Sequence, residues 1–256
     1  MHPSQSEITQ SQQLIIDVFR AFREELMKAY GMIEHDSKSD ESPVTQLDIK
    51  IETELKEELR SKFPRFGFKG EETESFEGEY DAVWHVDPID STNSFIHGLP
   101  YCANMAGLTV GDTTVAAVIY DFATDELFTA RKDEGAYKNG QRITIKALPL
   151  GSSIIFGDSY SYTHFYEYLA PHRAQLFAPV GATGYFLTRI AQGSIQGTCY
   201  FKAKIKPHDI IPGILIVREA GGHVASLDGN DFTNNTTQFV AGTKDVCDLL
   251  AGHVVA

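Results

Sequence analysis

The sequence predicts a mixed α/β fold in which helices bracket β-sheets in both halves of the chain. Apolar residues recur at helical spacing up to residue 63, short β-rich runs separated by turn residues follow from Asp81 onward, and both patterns return after residue 151. Helices that alternate with groups of strands are typical of layers packed around a shared core. Because no flexible linker interrupts the chain, we expect a single domain over residues 1–256, built from two tightly packed halves of about 1–150 and 151–256.

Two helices are predicted at the start of the chain, over residues 7–30 and 48–63, with a polar loop between them. Each segment carries apolar side chains on one helical face, and each is followed by a helix-stopping residue, Gly31 or Pro64. The strands predicted next are short, β-rich and bounded by turn residues. They cover Ala82–Val86, Met105–Val110, Thr114–Tyr120 and Glu126–Ala130. The dipeptide Asn139-Gly140 then predicts a hairpin with a two-residue turn.

The second half alternates between strand and helix patterns. Its predicted strands cover Ser153–Gly157, His223–Ser226 and Gln238–Ala241. Its predicted helices cover His164–Leu169, Thr183–Gly193, Asp209–Glu219 and Val246–Gly252. The paired glycines at 221–222 provide the stop after the third of these helices.

Composition and charge exclude several classes of function. The formal net charge is −13, and a chain without a basic patch should repel nucleic acid and anionic membranes. The 3 cysteines, Cys102, Cys199 and Cys247, form no Cys-x-x-Cys pair, so we expect neither a disulfide framework nor a structural zinc site. Unpaired thiols of this kind fit a reducing compartment. With no signal peptide and no apolar run of about 18 residues, the sequence predicts a soluble cytoplasmic protein.

The most informative segment runs from Trp84 to Thr92, where an apolar run ends in Asp-Pro-Ile-Asp-Ser-Thr. A strand that delivers Asp87 and Asp90 into a turn gathers two carboxylates and a backbone carbonyl, and oxygen ligands are those that Mg²⁺ prefers. A helix beginning at Ser91 or Thr92 would direct its N–H groups to the same point, where they can bind phosphate. The segment therefore suggests phosphoryl chemistry, although Asp is also a common helix-capping residue.

Four segments in a fixed order carry the chemistry. They are Ser42-Pro-Val-Thr-x-x-Asp48, Gly70-Glu71-Glu72, Asp87-Pro-Ile-Asp-Ser-Thr92, and His208-Asp209 with Arg218-Glu-Ala-Gly-Gly222. In order and spacing they resemble the inositol monophosphatase family, the magnesium-dependent, lithium-sensitive phosphatases. The resemblance covers nearly the whole chain. It implies a layered α-β-α-β-α sandwich, the sugar phosphatase fold, commonly assembled as a homodimer.

The resemblance implies a site for two or three Mg²⁺ ions. Carried over by position, the ligands are Glu71, Asp87, the backbone carbonyl of Ile89, Asp90 and Asp209. All of them offer oxygen, and none is His or Cys, which suits Mg²⁺ better than zinc. Clustered carboxylates would repel one another severely, and divalent cations would both relieve this repulsion and leave a positive target for phosphate.

The resemblance also implies catalytic roles, with direct in-line attack by water and no phosphoenzyme. Glu71 would hold an ion that lowers the pKa of the attacking water, while Thr92, backed by Asp48, would orient and deprotonate that water. Asp48 could instead only cap the second helix, and Thr92 could be an ordinary first-turn residue. The substrate-binding residues that the resemblance implies are Asp90, Ser91, Thr92, Thr183, Lys202 and Asp209.

Three positions depart from the usual pattern of the family. Ser91 replaces a common glycine but keeps its backbone N–H, so we expect the phosphate cradle to be retained. His208 replaces a tryptophan, and we interpret its ring as a packing group rather than a metal ligand. Lys202 stands where inositol-preferring members have a glutamate that binds sugar hydroxyls, and Thr183 lines the same pocket.

The lysine at position 202 bears on the substrate. An ammonium in place of a carboxylate should weaken polyol binding and favour a second anionic group. Besides an inositol monophosphate or a sugar phosphate, the candidates are fructose 1,6-bisphosphate, 3′-phosphoadenosine 5′-phosphate and histidinol phosphate, whose amine would sit poorly beside Lys202. The alternative from another class is a metal-binding sensor without turnover, but a sensor needs no water-activating pair.

Lys38 is interpreted either as a charge near the metals or as simple surface charge.

Overall fold

The structure, a computed structural model, describes residues 1–37, 43–157, 166, 169–177, 182–200, 205–228, 230 and 232–251. The α-helices within these ranges are α1 (Gln5–Ala21), α2 (Arg23–Ala29), α3 (Gln46–Lys62), α4 (Thr92–Ile96), α5 (Thr183–Ala191), α6 (Pro207–Glu219) and α7 (Lys244–Leu250). Short 3₁₀ turns lie at Leu150–Ser152 and Ala170–His172. No helix among the described residues has the length and the apolar composition that crossing a membrane requires.

A seven-stranded sheet forms most of the first half, beside a two-stranded ladder. The ladder pairs β1 (Asp36–Ser37) with β2 (Pro43–Val44). The strands of the sheet are β3 (Gly67–Lys69), β4 (Ala82–Asp90), β5 (Ala103–Val110), β6 (Thr113–Asp121), β7 (Glu126–Arg131), β8 (Gly135–Lys138) and β9 (Gln141–Ile143). They pair in chain order, antiparallel except for β3 with β4. The turn Asn139-Gly140 joins β8 to β9 with φ of 48° and 76°, so the predicted hairpin is confirmed.

A five-stranded mixed sheet lies in the second half. Its strands are β10 (Ile154–Gly157), β11 (Gln175–Phe177), β12 (Gly197–Tyr200), β13 (His223–Ser226) and β14 (Phe239–Gly242). Their spatial order is β11-β10-β12-β14-β13. The strand β10 runs parallel to both of its neighbours, whereas β14 runs antiparallel to both of its own.

Successive side chains of a strand point to opposite faces of its sheet, and each of the two sheets packs against helices on both faces. On β6, Val118 packs with α1 and α3, whereas Ala117 packs with α5 and α6. On β14, Ala241 also packs with α5 and α6, whereas Val240 packs with α7 on the other face of the sheet. The layers are therefore α1 and α3, the first sheet, α5 and α6, the second sheet, and α7. This order confirms the layered α-β-α-β-α fold.

Several predicted helix boundaries are wrong, each for a local reason. The helix predicted over residues 7–30 is two helices, α1 and α2, which are interrupted at Phe22. The helix predicted from Asp48 begins at Gln46, because Thr45 caps it through a reciprocal hydrogen-bonded box with Asp48. The helix predicted over residues 164–169 lies largely outside the described residues.

The strand predicted to end at Val86 continues to Asp90. Pairing with β5 shifts register between Asp87 and Asp90, where Pro88 has no N–H to donate to the ladder. The sequence pattern missed this extension because proline argues against a strand. Strands β3, β11 and β12 were not predicted either.

Candidate functional site

The carboxyl end of β4 carries two buried carboxylates. Asp87 is 2% exposed and Asp90 is 5% exposed. The Ile89 N–H donates to Asp87 Oδ1 at 3.0 Å, and Asn104 Nδ2 on β5 donates to the Pro88 carbonyl at 2.6 Å. These bonds hold the irregular end of the strand, so the two carboxylates are placed by fixed backbone rather than by long flexible side chains.

Ser91 turns the chain from this strand into α4. Its backbone is left-handed, with φ 63° and ψ 60°, and its hydroxyl donates to Ser94 Oγ at 2.8 Å. A left-handed conformation is strained by about 1–2 kcal/mol for residues that carry a Cβ. The glycine that is common here in the resembled family avoids this strain, whereas Ser91 adopts the same backbone at that cost.

Thr92, the first residue of α4, faces the first turn of α3. Its hydroxyl oxygen lies 3.4 Å from Asp48 Oδ1 and 3.2 Å from the Ile89 carbonyl oxygen, so its one proton can be donated to either acceptor. The other carboxylate oxygen of Asp48, Oδ2, accepts from the Thr45 N–H at 2.8 Å and from the Thr45 hydroxyl at 2.6 Å. Asp48 is 1% exposed. The structure therefore joins Asp48 to Thr92 across 44 positions of sequence.

Glu71 and Asp209 both border the His208 ring. His208 Nε2 lies 3.7 Å from Glu71 Oε2 and 3.5 Å from Asp209 Oδ1. Lys206 Nζ lies 3.5 Å from Glu71 Oε1, and the Lys206 N–H donates to Asp209 Oδ2 at 2.6 Å. The first turn of α6 thus meets the loop that carries Glu71.

The amino end of α5 contacts Asp90. Thr183 is the first residue of this helix, and the N–H of Tyr185 donates to Asp90 Oδ2 at 3.0 Å. A Cβ added at Gly184 would lie 3.1 Å from Asp90 Oδ2 and 2.1 Å from Met105 Sδ. The close approach of helix and strand therefore requires a glycine at position 184.

Burial and neighbouring charges shift the acidity of the two β4 carboxyl groups. Burial raises the pKa of Asp87 well above its usual value, and the charges of Glu71, Asp90, Asp209 and Asp48 add to this effect. Burial likewise raises the pKa of Asp90 to about 7, against the opposing effect of the Tyr185 N–H. The structure therefore brings Glu71, Asp209 and Asp48 within electrostatic reach of the corner formed by Asp87 and Asp90.

The chemistry of this cluster suits a hard divalent cation. Carboxylates and a backbone carbonyl are the ligands that Mg²⁺ accepts, and the excess negative charge felt by Asp87 is of the kind that such a cation compensates. In the part of the chain that the structure describes, no three His, Cys, Asp or Glu side chains lie close enough to hold a metal ion where they now stand.

Two residues singled out in the sequence fall outside the described part of the chain, Lys38 and Lys202. Conversely, the sequence analysis missed three contacts near the site, those of Glu52, Asn104 and Lys206. Glu52 left one signal, since it is an acidic residue among the apolar residues Ile51 and Leu55. No sequence pattern indicated the contacts of Asn104 and Lys206.

Comparisons with known proteins agree on one family. The profile of the inositol monophosphatase family matches residues 5–256. An inositol-1-monophosphatase of Rhizobium meliloti is 30% identical over 245 residues, which cover 91% of each chain. The Nus factor SuhB of Escherichia coli is 30% identical over 231 residues, which cover 87% of this chain and 86% of that one.

A solved structure agrees with these sequence relatives. The extragenic suppressor protein SuhB of Bartonella henselae superimposes with a TM-score of 0.85 at 27% identity, over 96% of this chain and 100% of the other. The chain belongs to the inositol monophosphatase family, which is a family of phosphatases.

Proposed function

We propose that this protein is a Mg²⁺-dependent phosphomonoesterase that hydrolyses a small phosphate ester, an inositol monophosphate or a sugar phosphate. The observation that carries the proposal is the contact between the Thr92 hydroxyl and Asp48 beside the buried Asp87 and Asp90. Family membership supports the phosphatase class. The pair of Thr92 and Asp48 supports hydrolysis by water, because a hydroxyl backed by a carboxylate can take part in moving a proton from water.

The residues that would hold Mg²⁺ are Glu71, Asp87, Ile89 through its carbonyl, Asp90 and Asp209. Two or three ions are expected from the resemblance to the family. Bound there, the ions would neutralise phosphate charge and increase the acidity of a nearby water. The mutual repulsion of the carboxylates supports cation binding, because a cation turns that repulsion into attraction.

The protein itself would orient the attacking water and the phosphate. With its proton donated to Asp48, the Thr92 oxygen can accept a hydrogen bond from water and aim the water at phosphorus. Asp48 keeps its orientation because Thr45 holds the other carboxylate oxygen. The N–H groups of Ser91 and Thr92 are proposed to bind phosphate oxygens.

The test is phosphate release from a panel of esters in Mg²⁺ and in EDTA. The panel contains inositol monophosphates, fructose 1,6-bisphosphate, 3′-phosphoadenosine 5′-phosphate and histidinol phosphate. Release that requires Mg²⁺ and falls at least about 100-fold in Thr92→Val supports the proposal. The matched control is Thr129→Val on β7, which should release phosphate as the wild type does. An inactive wild type across the panel would instead favour a metal-binding sensor without turnover.

The substrate within this class depends on Lys202, which lies outside the described residues. We propose that its ammonium favours an ester with a second anionic group. The comparison is the ratio of kcat/KM for fructose 1,6-bisphosphate and for an inositol monophosphate, in wild type and in Lys202→Glu. An unchanged ratio would remove Lys202 as the selector.

We also propose inhibition by Li⁺, a homodimeric state, a cytoplasmic location and the absence of a nucleic-acid partner. The net charge of −13 supports the absence of a nucleic-acid partner. The relative from Escherichia coli is a Nus factor by name, so this absence needs its own test. Fluorescence anisotropy with a labelled single-stranded RNA should show no binding at 0.1 M salt or above. Light scattering gives the oligomeric state, and a LiCl titration of phosphate release gives the inhibition.

A further inference from the structure

A second carboxylate of α3, that of Glu52, accepts hydrogen bonds from the backbone of the loop that carries Glu71. Glu52 Oε2 accepts from the N–H groups of Glu71 and Glu72, each at 2.9 Å, and Glu52 Oε1 accepts from the N–H of Thr73 at 2.6 Å. The Glu52 side chain is fully buried, at 0% exposure. A buried carboxylate is costly unless it is hydrogen-bonded, and here three consecutive amides supply the donors.

The loop backbone lies directly against this carboxylate. A Cβ added at Gly70 would fall 1.8 Å from Glu52 Oε1 and 2.2 Å from its carboxyl carbon, so no other residue fits there without displacing Glu52. Glu52 also stands four residues after Asp48, on the same face of α3. Two carboxylates on one face of α3 therefore contact the candidate site. Asp48 accepts from Thr92, and Glu52 accepts from the Glu71 loop.

We propose that Glu52 is a positioning residue that sets the Glu71 carboxylate for Mg²⁺ by fixing the backbone amides of residues 71–73. The metal part of this inference rests on the proposed function. Glu52 touches neither substrate nor ion in this scheme and acts through Glu71 alone. Partners behind metal ligands commonly change metal affinity by about 10-fold to 100-fold when they are lost.

The test is Glu52→Gln, which keeps the shape of the side chain but turns one acceptor oxygen into an amide group that cannot accept. The expected result is a Mg²⁺ dissociation constant about 10-fold higher by calorimetry, with kcat at saturating Mg²⁺ within about threefold of wild type. Hydrogen–deuterium exchange at the amides of residues 71–73 should become faster. The matched control is Glu54→Gln, an exposed carboxylate of the same helix, which should change neither readout.

Gly70→Ala provides an independent variant, because it pushes the carboxylate away without changing its chemistry. It should weaken Mg²⁺ binding and speed amide exchange in the same way, and it carries the test if Glu52→Gln fails to fold. Wild-type Mg²⁺ affinity and wild-type exchange in either folded variant would overturn the inference. A wild type without Mg²⁺-dependent turnover would overturn the proposed function, whereas the exchange experiment would still decide whether Glu52 holds the loop.

Discussion

At the scale of single residues, Asp48 divides its two carboxylate oxygens between a helix cap and the candidate site. Oδ2 bonds Thr45, and Oδ1 faces Thr92. The sequence left capping and catalysis as alternatives for Asp48, because aspartate is a common helix-capping residue. The structure shows that the cap orients the carboxylate toward Thr92, so the two interpretations are compatible.

Ser91 allows a prediction about backbone strain. Ser91→Gly should be close to neutral, within about 1 kcal/mol, because relief of the left-handed backbone offsets the lost bond to Ser94 and the greater freedom of glycine in the unfolded chain. Ser91→Ala keeps the strain and loses the bond, so it should be less stable than Ser91→Gly by about 1 kcal/mol. Urea denaturation compares the two variants, and an alanine variant as stable as the glycine variant would contradict the argument.

The raised pKa of Asp90 predicts how stability changes with pH in the absence of metal. The folded protein holds a proton up to a pKa of about 7, whereas the unfolded chain loses it near a pKa of roughly 3.9. Between these values the folded state binds more protons, so this group makes the protein less stable as pH rises. Asp87, whose pKa is also raised, acts with the same sign. His85 acts in the opposite direction, because burial lowers its pKa to about 4.

The measurement is Tm in EDTA at pH 5.5 and pH 8, for wild type and for Asp90→Asn. Relative to the wild type, Asp90→Asn should gain several °C on going to pH 8, since about 1 kcal/mol corresponds to roughly 2–4 °C in a chain of this size. Mg²⁺ should raise the Tm of the wild type more at pH 8 than at pH 5.5, because protons compete with the metal. The exposed Asp112→Asn is the control. An Asp90→Asn variant that tracks the wild type at both pH values would refute the argument.

At the scale of elements, α5 depends on a largely buried arginine for its orientation. Arg189 Nη1 bonds Glu126 Oε2 at 2.6 Å, and its Nη2 bonds Asp121, while its guanidinium stacks over the Tyr185 ring at 4.3 Å. The helix that these contacts fix is the one whose amide bonds Asp90. The contacts therefore extend from the first sheet to the candidate site.

Arg189→Met should destabilise the fold by about 3–5 kcal/mol, because it leaves the nearly buried Asp121 without its charged partner. The exposed Arg142→Met should change stability by less than about 0.5 kcal/mol and serves as the control. Urea unfolding curves give both values. A loss below about 1 kcal/mol in Arg189→Met would show that the pair contributes little.

The sequence predicted the elements that show a hydrophobic pattern. It did not predict the features that depend on contacts between residues far apart in the chain. The apolar run before Asp87 predicted a strand that delivers carboxylates, and the strand β4 is there. Its continuation past Pro88 depends on pairing with β5, which no local pattern encodes. Glu52 likewise accepts hydrogen bonds from amides 19 to 21 positions away, and these bonds depend on the packing of α3 against the Glu71 loop.

At the scale of the whole molecule, the middle layer binds the two sheets together. Helix α6 packs against β5 and β6 of the first sheet and against β13 and β14 of the second. We therefore propose that the halves of about 1–150 and 151–256 unfold as one cooperative unit. Independent halves would require this layer to separate from one sheet while the other stayed folded.

The prediction uses Trp84, the 1 tryptophan of the chain, which lies fully buried in the first sheet. Ile155→Ala, in the fully buried core between the second sheet and α7, should cost about 2–5 kcal/mol. The Trp84 fluorescence transition should then shift by the same amount as the calorimetric one. A Trp84 transition that stays in place would show that the halves unfold separately.

The layering has a consequence for how the polypeptide could be divided. The carboxylates at the end of β4 come from the amino-terminal segment, whereas Asp209 and the amide that bonds Asp90 come from the carboxy-terminal one. A break between β9 and β10 would leave neither fragment with the full set of groups. Turnover would return only when the two pieces reassociate, so the released phosphate would serve as a reporter of fragment complementation.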